Sequence, residues 1–409
     1  MRHDLRINLE RLSAKLDALG DIGAIEGGGV SRLAFTEADR AGRDQVVEWM
    51  RMLGLSIEID AIGNVVATRA GRSAGPGIMI GSHIDTVRTG GRYDGNLGVL
   101  AGLEVVERLN EEGIETDRSL AVAFFSNEEG ARFAPDMMGS MVHQGHFGLE
   151  EMLQTVGIDG ETVGAALDSI DYRGAAPCPA PSPAAYLELH IEQGPVLENE
   201  GITIGAVTGV QGISWTELTF TGQSNHAGTT PMRLRRDAGF AAGRMTAYVR
   251  QLTETIGGTQ VGTVGSVNLE PNLVNVIARK ATMTVDLRNT SEDDLQRAEG
   301  EMLDFAHRLA KDEHLELTHR RLARFEPVEF DPGLIDAVAV HARALGYSVT
   351  ALPSGAGHDA QAFAPNCPTG MIFVPSAGGI SHNVAEHTEI ADIEAGANVL
   401  LNLAADLAG

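Results

Sequence analysis

Leucines at 5, 9, 12, 16 and 19 recur at the three-and-four spacing of a single helical face, so the chain is expected to open on an amphipathic helix. Between about 40 and 130 the period then switches back and forth. A helical stripe over 46–52 precedes short β-like runs at 55–60, 65–69 and 78–82. Val99, Leu103 and Val106 mark a second helix, and 120–126 reads as a buried strand. Alternation of this kind predicts an α/β layer structure.

Residues 174–185, GAAPCPAPSPAA, carry four alternating prolines and fit neither a helix interior nor a central strand, so they are expected to form a surface connector. YLELHI, 186–191, alternates as a strand. From about 211 the order changes. Trp215, Leu218 and Phe220 lie in a β-like run, 240–252 is helical, 261–269 and 275–288 are β-like, 291–309 is a capped helix and 315–321 a last strand. The order β-α-β-β-α-β predicts a ferredoxin-like α+β domain at 211–324, inserted into a host α/β domain formed by 1–210 and 325–409. After the insert, Asp331-Pro332 opens a helix towards Gly346, a strand leads into PSGAGHDA, 370–374 is a strand, and a terminal helix follows SHNVAEHT.

Composition narrows the possible partners. The 409 residues include 31 Lys and Arg against 56 Asp and Glu, a formal charge of -25, which repels phosphate backbones and anionic lipid; neither nucleic acid nor membrane is expected as a partner. Cys178 and Cys367 are too few for a disulfide framework, the N-terminal stretch is charged throughout, and no run is long enough to span a bilayer. A reduced, cytoplasmic protein is the expectation.

Candidate chemistry gathers at strand ends. GSHIDTVRTGGRYDGNLG, 81–98, follows an apolar run; His83 and Asp85 share a face of an extended end, where a carboxylate can orient a metal-binding imidazole, and Asp94 stands in a tight turn before Gly95. Glu128 and Glu129 follow the strand at 120–126. Adjacent carboxylates repel unless a cation holds one while the other transfers protons, and the spacing assigns neither role. In LELHIEQGP, alternation sets Glu188, His190 and Glu192 opposite Leu187, Leu189 and Ile191, and GGISHNVAE places His382 in a loop.

Singly, each has a plain reading: an Asp-Gly turn, a solvated sheet face, a solvated loop histidine. Together, four strand ends of one α/β domain offer imidazoles and carboxylates suited to zinc, manganese or cobalt, and five ligands with one shared carboxylate are what a two-metal hydrolytic site needs. His143 and His146 are read as structural or solvated. The run at 27–29, GGG, lacks the lysine and helix of a phosphate loop, and no G-x-S-x-G elbow is present.

GSHIDTV, GGRYDGNLGVLAG, EEGARF, ELHIEQGPVLE, SNHAGTTPM, VNVI, DLR, SGAGHDA and SHN span nearly the whole chain. Their order resembles the amidohydrolase branch of the M20 metallopeptidase-like hydrolases, which comprises N-carbamoyl-L-amino-acid hydrolases, allantoate amidohydrolases and yeast-type β-ureidopropionases. HIEQGP and NHAGTTPM separate this branch from the peptidases. The resemblance implies an α/β catalytic domain holding two divalent ions (Zn, Mn or Co) on a mixed central sheet with helices on both faces, plus an inserted dimerisation domain. It makes Asp94 the bridging ligand, His83 and His190 ligands of one ion, Glu129 and His382 ligands of the other, Glu128 the general base and Asp85 the support of His83.

The resemblance further implies that His226 stabilises an oxyanion and that Asn275 and Arg288 hold a substrate carboxylate, all three reaching the partner subunit's site in a homodimer. Gln193, Gly357 and His358 match positions lining the substrate pocket. The implied substrate is a small anionic ureido compound. N-carbamoyl-L-amino acids, cleaved to the amino acid, CO2 and NH3, are placed ahead of allantoate and N-carbamoyl-β-alanine, and an M20 exopeptidase comes behind these.

Overall fold

The computed structural model describes residues 5–409; residues 1–4, counted in the first host segment above, lie outside the described residues. The chain divides into two compact units, one ending at Thr208 and resuming over Glu329–Gly409, the other Gly209–Val328. The boundaries expected from sequence, 211 and 324, lie just inside the second unit. Each unit has its own apolar core.

The first unit is built on a mixed sheet of nine strands among the described residues. At its centre Leu120–Phe125, Ile78–His83, Ala185–Ile191 and Thr369–Val374 lie side by side and parallel. Val65–Arg69 and Ser56–Ile59 extend the sheet antiparallel on one side, and Ile204–Val210 does so on the other. Parallel strands end at the same edge, so the loops after residues 83, 125, 191 and 374 emerge together, the usual place for a ligand in such a sheet.

Both faces of the central strands are covered, which is why the strand Ala185–Ile191 is buried at every position. On one face the long helices Asn96–Glu111 and Ile390–Ala408 close in. A Cβ at Gly98 would lie 2.5 Å from the Leu189 carbonyl oxygen and one at Gly396 would lie 2.5 Å from Val374, so these helices approach the sheet only through glycine. On the other face the short helices Met138–His143 and Ala360–Phe363 supply an aromatic layer: Tyr186 stacks on Phe363 with centroids 4.0 Å apart, and Phe125 meets the His143 ring at 5.5 Å. Glu188 and His190, which alternation alone would place on a solvated face, are therefore fully enclosed.

Other boundaries moved for local reasons. The first helix runs over Leu9–Gly20, not from Leu5, because the Asn8 side chain accepts the Arg11 N–H and caps it there. Leu5 is still buried, and its carbonyl accepts from Asn402 in the last helix. The β-like run expected over 275–288 begins only at Lys280; Asn275 lies in the turn before the strand. The strand Ile204–Val210 and the helices Leu149–Leu153 and Val163–Ser169 were not foreseen, being too short to show a period.

In the second unit the strands Gly212–Thr221, Val261–Glu270, Lys280–Asn289 and Glu316–Phe325 alternate with the helices Ala238–Ile256 and Glu292–Asp312 in the β-α-β-β-α-β order. The all-antiparallel sheet runs Glu316–Phe325, Gly212–Thr221, Lys280–Asn289, Val261–Glu270. Leu218, Phe220, Met283, Val285 and Leu287 join the helices in one core, while Trp215, of opposite parity, is 42% exposed. No helix among the described residues is long and apolar enough to cross a membrane.

Arg43, fully buried, ties the first unit together at the end of the strand Leu120–Phe125. It pairs with Asp39 at 2.8 Å and donates to the Gly63 carbonyl and the Ser126 hydroxyl, among the rings of Phe35, Phe124 and Tyr172. Arg43→Ala leaves Asp39 as a buried charge without its partner and should cost roughly 3–5 kcal/mol. The urea-denaturation midpoint measures this. Replacing both residues by apolar ones should cost less than Arg43→Ala alone.

Candidate metal centre

His83 ends its strand with Nδ1 2.9 Å from the Asp85 backbone carbonyl, and His190 sets Nδ1 2.8 Å from that of Ile191. A carbonyl only accepts, so each Nδ1 carries the proton and each Nε2 presents a lone pair. Both Nε2 atoms face one oxygen, Asp94 Oδ1, at 3.5 and 3.2 Å, and that of His190 also lies 3.2 Å from the Gly95 amide. The expected Asp85 support of His83 thus comes from its carbonyl, not its carboxylate. The strand stops at His83, so the same-face relation of residues two apart no longer holds. The Asp85 carboxylate instead accepts the successive amides of Glu128 and Glu129, at 3.2 and 3.3 Å.

Asp94 is seated by the turn that follows it. Gly95 has φ 65°, and a Cβ there would lie 2.4 Å from the His83 ring, so the position admits only glycine. The second oxygen, Oδ2, accepts from Gln193 Nε2 at 2.8 Å and Ser381 Oγ at 2.9 Å and lies 3.5 Å from His382 Nε2. His382 Nε2 is in turn 3.1 Å from Glu129. The structure therefore gathers two sets, His83 with Asp94 and His190, and Asp94 with Glu129 and His382; the candidate ligand atoms of each lie within 4.8 Å of one another. Asp94 belongs to both. A third buried group, Glu188 with His190 and His358, is already engaged: Glu188 accepts from Ser82 and the Ala360 amide, and His358 meets Ser354 at 2.8 Å.

Glu128 stands beside the first set, 3.4 Å from His83 Nε2. Burial pushes its carboxyl well above the usual range, against the pull of His83. Burial opposes protonation of His83, yet Glu128 and Asp94 outweigh it and hold the imidazole well above its ordinary value. Asp94 goes the other way: burial is overcome by His190 and His83, which keep it well below. The Glu129 hydrogen bond raises His382 to about 9. Every one of these ion pairs runs to an imidazole, none to a lysine or arginine. Imidazole Nε2 atoms facing crowded carboxylates are a donor set in which a divalent cation of the zinc, manganese or cobalt type can take the place of the protons.

A small cleft opens on this cluster, lined also by Gln193, Asp136 and Gly357. His358 is not among the residues lining it and is buried with its ring edge-on to His190 at 4.5 Å. The remaining expected site residues, His226, Asn275 and Arg288, belong to the second unit. There His226 is exposed, its backbone pairs with Val276 beside Asn275, and its Nδ1 accepts the amides of Gly228 and Thr229 at 3.0 and 3.2 Å. The proton of a neutral His226 is thereby assigned to Nε2, which becomes a donor. Arg288 is held by Asp286 at 2.9 Å. Sequence reasoning gave no role to Ser381 and Glu386, although both stand in GGISHNVAE, because nothing local shows which distant group a loop side chain meets; Glu386 is buried against the Asp94 turn.

Residues 79–406 match the model of peptidase family M20/M25/M40. The chain is 41% identical to the N-carbamoyl-L-amino-acid amidohydrolase of Rhizobium meliloti, over 97% of this chain and 96% of that one. It is 39% identical to the N-carbamoyl-L-amino acid amidohydrolase of Geobacillus stearothermophilus, over 98% of each. An amidase of the hydantoinase/carbamoylase family from Burkholderia multivorans superposes with a TM-score of 0.97 at 44% identity, covering 98% of both chains.

If the two sets hold cations, adding Mn2+ or Zn2+ to metal-stripped protein at a hundred times Kd should stabilise it by about 2.7 kcal/mol per independent site. The thermal midpoint with and without metal reads this directly. His190→Ala should reduce the gain, and a midpoint that ignores metal would count against the assignment.

Proposed function

The chain belongs to peptidase family M20/M25/M40, and we propose that it is an amidohydrolase of that family acting on N-carbamoyl-L-amino acids with two divalent ions per subunit. The observation that carries the proposal is the pair of donor sets joined through Asp94, with Glu128 beside them and outside both. His83, Asp94 and His190 would hold one ion, and Asp94, Glu129 and His382 the other. Cations so placed supply Lewis-acid polarisation of a carbonyl and lower the pKa of water.

The chain's own groups account for the proton movements. Glu128, buried and raised, accepts the proton of the water that adds to the ureido carbonyl, then returns it to the departing nitrogen. The carbon–nitrogen bond breaks, and the carbamate left behind falls to CO2 and the second nitrogen product, so that amino acid, CO2 and NH3 account for all atoms. His226 donates from Nε2 to the oxyanion. Arg288, steadied by Asp286, and Asn275 take the substrate carboxylate; a planar guanidinium matches it in two hydrogen bonds, and a protein of charge -25 needs such a local cation. Gln193 and Gly357 line the cleft, and His358 backs His190.

The second unit is proposed to dimerise and to bring His226, Asn275 and Arg288 to the partner subunit's site. Two features support this: the exposed Trp215 on the sheet face opposite the helices, and the outer strand Val261–Glu270, which exposes Val261 and Val267. Cys178 and Cys367 are free thiols, compatible with a reducing, cytoplasmic setting.

Ammonia release should be measured against N-carbamoyl-L-amino acids, their D forms, N-carbamoyl-β-alanine, allantoate and a dipeptide. Turnover of the L-carbamoyl series is expected; turnover of allantoate or N-carbamoyl-β-alanine alone would move the substrate within the branch, and dipeptide cleavage alone would overturn the proposal. Glu128→Ala should lower kcat by about 10²- to 10⁴-fold with metal content intact. Metal loss instead would mean that Glu128 is a ligand. Mixing inactive Glu128→Ala with inactive His226→Ala subunits should restore activity after exchange if the site is shared, and not otherwise.

A further inference from the structure

Two features remain without a role: the glycine run 27–29 and the buried Glu386. They meet at the same place. The residues after Gly29 pair with the Asp94 loop, Val30 and Gly90 exchanging backbone hydrogen bonds of 2.9 and 3.0 Å. A Cβ at Gly29 would stand 2.5 Å from the Gly90 carbonyl oxygen and 2.7 Å from Val384, and one at Gly27 would stand 3.0 Å from Val384. Gly27 and Gly29 are thus a floor for the loop that carries His382, without side chains so that Val384 can settle on them. Gly91 is bare for the same reason, since a Cβ there would overlap the Glu386 carboxylate.

Glu386 reaches across from that loop. Its Oε1 accepts the successive amides of Tyr93 and Asp94, at 3.0 and 3.2 Å, and its Oε2 lies 3.2 Å from the hydroxyl of Ser381, the neighbour of His382. His382 needs such a tie more than the other histidines do. His83 and His190 end central strands and are buried, whereas His382 sits in a loop with its side chain 50% exposed and φ 53°. Setting a further carboxylate against Asp94 works against stability through like-charge repulsion, so its presence calls for a role at the site.

We propose that Glu386 is a positioning residue that locks the His382 loop to the Asp94 turn, so that the half of the metal centre formed by Asp94, Glu129 and His382 is assembled on the half formed by His83, Asp94 and His190. This rests on the two-ion reading above. Asp85 does the matching work for Glu128 and Glu129: each carboxylate grips two consecutive amides and thereby fixes the peptide that presents a site residue.

The test is a chelator titration of the full-length, manganese-loaded protein, following bound metal by mass spectrometry alongside the thermal midpoint of the metal-free form. Glu386→Ala should release the more weakly held equivalent at about 10- to 100-fold lower chelator activity, with the other equivalent retained as in the parent. Glu386→Gln, whose amide oxygen still accepts both N–H groups, should hold metal close to the parent. A purely structural role would lower the metal-free midpoint and leave metal release unchanged, which overturns the proposal, as would Glu386→Gln behaving like Glu386→Ala. Should Glu386→Ala fail to fold, Glu386→Asp, whose carboxylate stops one methylene short of the Tyr93 and Asp94 amides, is expected to loosen the same equivalent, and unchanged release from it would overturn the proposal. The parent protein serves as the separate control: one that binds no divalent ion would overturn the two-ion reading itself.

Discussion

Asp94 sends one carboxylate oxygen towards His83 and His190 and the other towards His382, and much of the first unit is arranged to make that possible. A carboxylate amid imidazole lone pairs and other carboxylates does not stay put on its own account. It is held by Gln193 and by Ser381, by the tie of its own backbone amide to Glu386, and by a turn whose next residue must be glycine to clear the His83 ring. The energetic cost of crowding Glu128, Glu129 and Asp94 falls away only when cations share the space.

Backbone groups do most of the orienting. The two strand-end histidines are fixed by carbonyls of the chain just beyond them, which decides their tautomer, and His226 is fixed by two amides in the opposite sense, which makes it a donor rather than a ligand. The same ring chemistry therefore serves different ends according to which backbone group faces Nδ1. Asp85 and Glu386 read pairs of successive amides, an interaction that fixes the plane of a peptide more firmly than a single hydrogen bond does.

Beneath the site lies a sheet covered on both faces. Four parallel strands end at one edge, so residues more than a hundred positions apart in sequence, such as His83 and His190, come within reach of a single oxygen. Glu188 and His190 pay for their burial with hydrogen bonds to Ser82, the Ala360 amide and the Ile191 carbonyl.

Local pattern was enough for the elements that carry a strong period and for the residue types of the site. The strands around 78–83, 120–125 and 369–374, the long helices, and the β-α-β-β-α-β order of the second unit follow from alternation and caps such as Ser291 and Asp331. His83, Asp94, Glu128, Glu129, His190 and His382 stood out because polar ligands at the ends of apolar strands are costly without a purpose. Tertiary structure alone decided that the polar side of Ala185–Ile191 is interior, that a carbonyl and not a carboxylate holds His83, that His358 does not line the cleft, and that Glu386 belongs beside Asp94. Each of those depends on what arrives from a distant part of the chain, and a one-dimensional period carries information only about neighbours a few residues away.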